Sequence, residues 1–403
     1  MKSLTVQLIN SASDHLSRSP LALPLRILDA DGGVIAESAA SASQAANFNI
    51  QDIDPVFVRL TWPSGKIHTK RVDFGNSGNA TVSFIEDVSS HDAWGAWAIP
   101  RLNPKSSLAV SDVASRVDIS RYDHVWLRLW KFNDNVWTEI PIRPSPEQRY
   151  SSKSARQIDF NLTANPWLLQ VGGTDVPWRF VSLPGNGACR VLLTPNESTD
   201  PRSLPLKVVV TGFRPDAETL LEFLVRDSIR AASALARLGS VAEELMEKKF
   251  KDPIAAVVGA YYSLRTNGWG RLPVWWFENL ASSFQWIPDG AVIRSIVMIR
   301  SGLQNDSDES NARALLETCV RRGPPIFAEG LALMQEAASA LCSSTTSKKE
   351  GIFRSVENLA ASQAWAGATL SFYGREPDTP TPKKVFGDPS EGRENLFLLS
   401  NLG

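Results

Sequence analysis

Residues 124–130 have the sequence His124-Val-Trp-Leu-Arg-Leu-Trp130, which alternates in the way that a β-strand requires. Successive side chains of a strand point to opposite faces, so one face would carry three aliphatic residues. The other face would carry two tryptophans with an arginine between them. Six further candidate strands follow before residue 213, with turn segments such as Pro184-Gly-Asn-Gly187 between them. Seven short strands predict a β-sandwich over residues 119–213.

Another set of short alternating segments precedes this module and covers about residues 1–88. Asp29-Ala-Asp-Gly-Gly33 lies between two apolar runs, and glycine adopts positive φ at little cost, so this segment predicts a hairpin. The regular spacing of strands and turns indicates a small antiparallel sandwich. Residues 89–118 show little periodicity and are predicted to form a linker or an ordered loop.

The character of the sequence changes near residue 215, where alternation gives way to helical spacing. Asp252 before Pro253 is the order of a helix N-cap followed by a first-turn proline. An all-α domain is therefore predicted over residues 214–375, and its last helix over residues 352–372. Strands followed by helices predict an α+β multidomain fold, in which antiparallel β-sandwich modules precede a separate α-helical domain. The proline-rich, charged residues 376–403 are expected to form a mostly disordered tail.

The composition argues against several partners and locations. The chain of 403 residues has 42 basic and 43 acidic side chains, and its net charge of -1 gives no field that would attract nucleic acid. No run approaches the roughly 18 apolar residues of a membrane span. Residues 1–10 alternate like a strand and not like a signal peptide, and the 3 cysteines do not form a disulfide framework. We therefore expect a cytoplasmic protein.

The sequence holds little that indicates an enzyme. None of the four histidines, His15, His68, His91 and His124, has a second histidine or a cysteine at the spacing of a metal site. Neither a Walker loop nor a glycine-flanked serine elbow occurs. We therefore assign no catalytic residue, cofactor or metal ligand. An unrecognised enzyme stays an alternative, which a cluster of these histidines with carboxylates would support.

Tryptophan is the unusual component, with 13 residues against 5 tyrosines. Four of them, Trp269, Trp275, Trp276 and Trp286, are grouped around the turn at residues 268–273. The adjacent pair would diverge by about 100° on a helix, so one ring can be buried while the other lies at the rim. We assign these four as a candidate protein-binding site, because tryptophan dominates binding hot spots. The alternatives are a domain core or contact, and a sugar-stacking face on the two tryptophans of residues 124–130.

Several segments of the second half carry a family resemblance. They include Trp178-Arg-Phe-Val181, Glu222-Phe-Leu-Val-Arg226, Trp286-Ile-Pro-Asp-Gly-Ala291 and Arg321-Arg-Gly-Pro-Pro325. In these segments the chain resembles a group of uncharacterised bacterial proteins found in genomes with caspase-like peptidases and conflict or defence systems. The N-terminal module resembles a carboxypeptidase-regulatory-like sandwich in its Asp-Gly-Gly turn and its Pro63-Ser-Gly65 turn.

The resemblance implies an accessory protein. We expect a non-enzymatic adaptor or effector partner of a bacterial defence-type system, which binds a protein partner through its helical domain. A caspase-like peptidase is the partner that the resemblance suggests. Two alternatives stay open. One is a substrate or regulator of such a peptidase, cleaved within residues 86–118, within residues 143–156 or after residue 374. The other is a carbohydrate-binding accessory protein.

Overall fold

The computed structural model describes residues 2–9, 22–41, 45–51, 53–61, 67–75, 77–85, 119–151, 156–195, 204–212, 214, 217–218, 220–221, 224, 241–342, 351–364 and 367–402. The chain divides into two compact units, and each is described by itself. The first unit comprises Met1–Val113 and Arg214–Leu245, and the second comprises Ala114–Phe213 and Met246–Gly403.

The first unit contains seven strands among its described residues. They are β1 (Lys2–Ile9), β2 (Ala22–Leu28), β3 (Val34–Ser41), β4 (Ala46–Ile50), β5 (Val56–Thr61), β6 (Ile67–Val72) and β7 (Asn79–Ile85). They form two sheets, with strand orders β4-β1-β7 and β3-β2-β5-β6. Alternate residues such as Val56, Val58 and Leu60 of β5 are fully buried in the core. The pairs are antiparallel, as predicted, except that β1 and β7 are parallel.

The predicted hairpin joins β2 to β3, with Leu28 opposite Val34. One carboxylate oxygen of Asp29 accepts hydrogen bonds from the backbone N–H groups of Asp31 at 3.0 Å and Gly33 at 2.7 Å. Between them Gly32 has a φ of 83°, which glycine adopts without strain. The Asp29 side chain therefore satisfies the turn's donors, which explains why this sequence makes a hairpin.

The second unit contains the remaining ten strands of the described chain. They are β8 (Trp126–Asn133), β9 (Val136–Ile140), β10 (Arg149–Ser151), β11 (Arg156–Leu162), β12 (Trp167–Gly172), β13 (Arg179–Leu183), β14 (Gly187–Pro195), β15 (Leu206–Thr211), β16 (Ser371–Tyr373) and β17 (Phe397–Leu398). One sheet has the order β10-β11-β14-β15. The other has the order β16-β13-β12-β8-β17, and β9 also pairs with β8. The two sheets bury one apolar core between them.

Seven α-helices have their bounds within the described residues, and residues 217–218, 220–221 and 224 are helical as well. The seven are α1 (Val241–Glu247), α2 (Pro253–Arg265), α3 (Val274–Ser282), α4 (Pro288–Arg300), α5 (Asp306–Arg322), α6 (Ala328–Cys342) and α7 (Ile352–Ala361). A β-rich first part followed by helices confirms the predicted fold class. The predicted linker at residues 89–118 lies outside the described residues. Residues 225–240, which belong to the helix expected after Pro215, lie outside them as well.

Strand β8 has the two faces that its alternation predicts, and both are buried. Leu127 and Leu129 lie in the core between the sheets. On the opposite face, Trp130 packs with Leu331 of α6 and Leu359 of α7. Helices therefore cover the outer face of this sheet. The predicted domains 119–213 and 214–375 differ from the structure here, because most of their residues share one compact unit.

The last helix is shorter than predicted, since α7 ends at Ala361 and not near Phe372. Residues 371–373 instead form β16, which pairs antiparallel with β13. The Phe372 ring stacks on that of Phe180 in β13, with 5.2 Å between ring centroids. The gain from pairing at a sheet edge and burying Phe372 outweighs the helical spacing of the sequence.

The prediction of a mostly disordered tail at residues 376–403 is wrong. The indole N–H groups of Trp126 and Trp178 both donate to the Gly387 carbonyl, at 3.0 and 2.7 Å. Further on, β17 pairs with β8, and Leu399 and Leu402 are buried in the core between the sheets. The tail is held by backbone hydrogen bonds and two leucines, which composition does not reveal.

None of the helices in the described part of the chain is long and apolar enough to cross a membrane.

The buried tail gives a direct test of its contribution to stability. We expect Leu399→Ala to lower the free energy of unfolding of the second unit by about 2 to 5 kcal/mol, because it removes a fully buried side chain. The neighbouring Leu398 is 38% exposed, so Leu398→Ala should cost about 0.5 kcal/mol or less. Urea denaturation of both variants checks this. Equal stability of the two would contradict the packing described.

Candidate functional site

The turn between α1 and α2 carries a lysine and a phenylalanine that the sequence analysis did not single out. The Asp252 side chain accepts a hydrogen bond from the backbone N–H of Ala255 at 3.1 Å, and Pro253 occupies the first turn of α2. This cap fixes where α2 begins and thereby holds the preceding turn. In that turn Lys249 is buried, and Phe250 is 66% exposed.

Helix α3 presents the adjacent tryptophans in the two environments expected from their helical spacing. Trp275 is 53% exposed, whereas Trp276 is half-buried. Their ring centroids are 5.9 Å apart, and the ring planes are nearly perpendicular at 87°. The start of α4 packs closely on α3, because a Cβ at Gly290 would lie 2.2 Å from the Leu280 carbonyl oxygen. Glycine at this position lets the two helices approach and fixes α3.

The Lys249 ammonium lies among aromatic rings. Its Nζ is 4.6 Å from the Trp275 ring centroid, 4.7 Å from that of Trp276 and 5.6 Å from that of Phe250. It also donates to the Met246 carbonyl at 3.4 Å. Each cation–π contact of a desolvated cation contributes on the order of 1 to 2 kcal/mol. Desolvation lowers the pKa of Lys249 from its usual value. The lysine thus holds the rings of two segments together.

We call Phe250 and Trp275, whose rings both contact Lys249, together with Val274 beside Trp275 in the chain, the aromatic patch. All three are strongly exposed, at 66%, 49% and 53%. The Phe250 ring also contacts that of Phe284, at 5.5 Å between centroids. The patch is a preorganised apolar surface with a positive charge beneath it.

The four tryptophans of the predicted site do not all contact one another. Trp275 and Trp276 share Lys249, but Trp269 and Trp286 make other contacts. The Trp269 indole donates to the Asn267 side chain at 3.1 Å. The Trp286 ring lies against the turn after β13, where a Cβ at Gly185 would be 3.1 Å from it. Both rings are half-buried, and the strongly exposed ring of the group belongs to Trp275.

A buried polar cluster joins α2, α4 and the segment before α6. Asp289, at the start of α4, is fully buried and accepts hydrogen bonds from the Tyr261 hydroxyl and from the backbone N–H groups of Ile326 and Phe327. Burial raises the pKa of Asp289 to about 6. A carboxyl with these partners fixes the segment before α6 against α2 and α4. We assign it a structural role, because all its partners are backbone or tyrosine.

The histidines do not form a cluster in the described part of the chain. His124 Nε2 is 2.7 Å from a carboxylate oxygen of Asp175, and both side chains are about half exposed. His68 lies in β6, and His15 and His91 fall outside the described residues. Among the residues described, no group of three or more histidine, cysteine or carboxylate side chains could hold a metal ion.

The two strand tryptophans that suggested a sugar-stacking face are buried. Trp126 is 0% exposed and Trp130 is 7% exposed. Trp126 packs edge-on against Trp178, with ring centroids 5.1 Å apart. A stacking face needs exposed rings, so these two tryptophans do not provide one.

The pKa of Asp289 predicts a pH dependence of stability. Because its folded pKa lies above the usual value of 3.8, ionisation opposes folding, and its contribution to stability is lost as the pH rises through about 6. Relative to the Asp289→Asn variant, the native chain should lose roughly 2 to 3 kcal/mol of its free energy of unfolding between pH 4 and pH 8. Urea denaturation of both proteins across this range measures the difference. A difference that does not change with pH would show that the carboxyl is not perturbed.

Residues 219–394 match the family model of the Y4kD C-terminal domain, which spans somewhat less than half of the chain. No curated protein and no solved structure matches the chain. The matched range contains α1 to α7, β16 and the whole aromatic patch. The second half is therefore similar to the Y4kD C-terminal domain, an uncharacterised family. This agrees with the expected resemblance of the second half to a group of uncharacterised proteins.

Proposed function

We propose that this chain is a non-enzymatic binding protein that recruits a protein partner through the aromatic patch. The observation that carries the proposal is the exposure of Phe250, Val274 and Trp275 on a surface that buried Lys249 already orders. Exposed apolar side chains that are grouped together mark interaction sites more often than isolated ones do.

The geometry of the patch supports tight binding by few residues. Trp275 is held on α3 and against the Lys249 ammonium. Its side chain therefore loses little conformational entropy when a partner covers it. Tryptophan in such a position is the residue type most enriched in hot spots. A partner that excluded water here would also strengthen the cation–π contacts.

The same geometry supports a binding role for Lys249 over a catalytic one. A catalytic lysine needs its amine open to substrate. Here three aromatic rings surround Nζ, and the side chain is only 2% exposed.

We infer an adaptor or effector-partner role in a bacterial defence-type system, with a caspase-like peptidase as the partner to test first. A cytoplasmic location stays a prediction. In the alternative role of peptidase substrate, the tail after residue 374 is a poor cleavage site, because β17 pairs with β8 and the backbone of residues 381–387 is hydrogen-bonded to Tyr373, Trp178 and Gly173.

The test is a pull-down from the native host with tagged protein, followed by mass spectrometry. We expect a stoichiometric partner to be retained by the native chain and lost, by about 30-fold or more in affinity, from the Phe250→Ala and Trp275→Ala variants. Phe386→Ala is the matched control, since Phe386 is 50% exposed outside the patch.

Circular dichroism and thermal denaturation of each variant must show that the fold is retained. Equal retention of the partner by the Phe250→Ala, Trp275→Ala and Phe386→Ala variants would contradict the proposal. Discrete fragments of the bait would favour the role of peptidase substrate.

A further inference from the structure

A cavity of about 480 Å³ lies within the second unit, away from the aromatic patch. Its walls are the hairpin of β8 and β9, the end of α5, one side of α6 and α7, and the tail at residues 377–380. We call it the tail cavity. A volume of this size is typical of sites for small ligands and for peptide side chains with their flanking backbone.

One wall of the tail cavity is aromatic. Phe132 of β8 and Trp137 of β9 line it, with ring centroids 5.1 Å apart. The Trp137 ring is held by the residue after α5, because a Cβ at Gly323 would lie 2.9 Å from it. Gly323 also has a φ of 112°, which favours glycine. The indole is therefore packed in a fixed position at the edge of the cavity.

The tail segment contributes an acidic residue to the lining. Asp378 lines the cavity. Nearby, desolvation raises the pKa of Glu376, the charge of Arg128 lowers it and the charge of Asp378 raises it. Desolvation also raises the pKa of Asp378 itself. The carbonyl end of α5, which carries the negative end of the helix dipole, also forms part of the lining.

Arg321 is the positively charged residue among those lining the cavity. Its guanidinium donates to the Thr318 hydroxyl at 3.1 Å, one turn back along its own helix. The side chain is exposed. Asp378 is exposed as well, so solvent screens both charges, and the two side chains do not form an ion pair in the described structure.

We infer that the tail cavity binds the guanidinium group of an arginine side chain in a peptide. A planar guanidinium stacks on an indole and donates two parallel hydrogen bonds to a carboxylate. Trp137 and Asp378 supply these two partners. The side chains of Asn135, Ser355 and Asn358 also line the cavity and offer oxygen acceptors for the remaining N–H groups. This site does not depend on the function proposed for the aromatic patch.

The experiment is titration calorimetry of the full chain with N-acetylarginine methylamide. N-acetylcitrulline methylamide serves as the neutral ligand of the same shape, and N-acetylglutamate methylamide as the anion. We expect the arginine ligand to bind at least about tenfold more tightly than either of the others. Asp378→Asn should remove that preference, whereas Asp388→Asn, at an exposed position outside the cavity, should leave it unchanged.

A second variant separates the aromatic wall from the charge. Trp137→Leu should weaken the arginine ligand about five- to tenfold, provided that its thermal denaturation shows a retained fold. The inference is overturned by equal binding of arginine and citrulline, by tighter binding of the glutamate ligand, by an unchanged arginine preference in Asp378→Asn, or by no binding of any ligand. None of these results affects the test of the aromatic patch.

Discussion

Burial of both faces of β8 is the constraint on which the second unit depends. Its aliphatic face completes the core between two sheets, and its other face requires a cover for Trp126 and Trp130. Helices α6 and α7 cover Trp130, and the tail segment at Gly387 accepts the indole N–H of Trp126. The unit is therefore built in three layers, with this sheet in the middle.

The sequence predicts the elements of this fold better than it predicts their arrangement. Alternation at residues 124–130, the Asp29–Gly33 hairpin and the start of α2 at Pro253 all depend on local rules, and all three are confirmed. The tail is different, because its prolines and charges indicate low burial. What orders it is a shared carbonyl and two leucines that fill a core formed by distant strands. No local pattern contains that information.

At the candidate site, too, the sequence predicts the local features but not the tertiary packing. The tryptophan composition directs attention to residues 269–286, and helical geometry separates the exposed Trp275 from the half-buried Trp276. Lys249 and Phe250 lie in a charged run, Glu247 to Lys251, which normally indicates a solvated surface. A phenylalanine within that run is the signal that could have found them. That the lysine is buried among rings follows only from the packing of the turn against α3.

The hydrogen bond from Trp126 to Gly387 joins residues 261 positions apart. Ribosomes add roughly 5 to 20 residues per second, so the sheet edge at β8 lacks its final partners for about 10 to 50 seconds of synthesis. During that time the first residues of β8, which later pair with β17, and the tryptophan face of the strand are open to contact with other chains. The second unit therefore completes its fold only after its helices and tail are synthesised, whereas a sandwich of local hairpins could pair as it emerges.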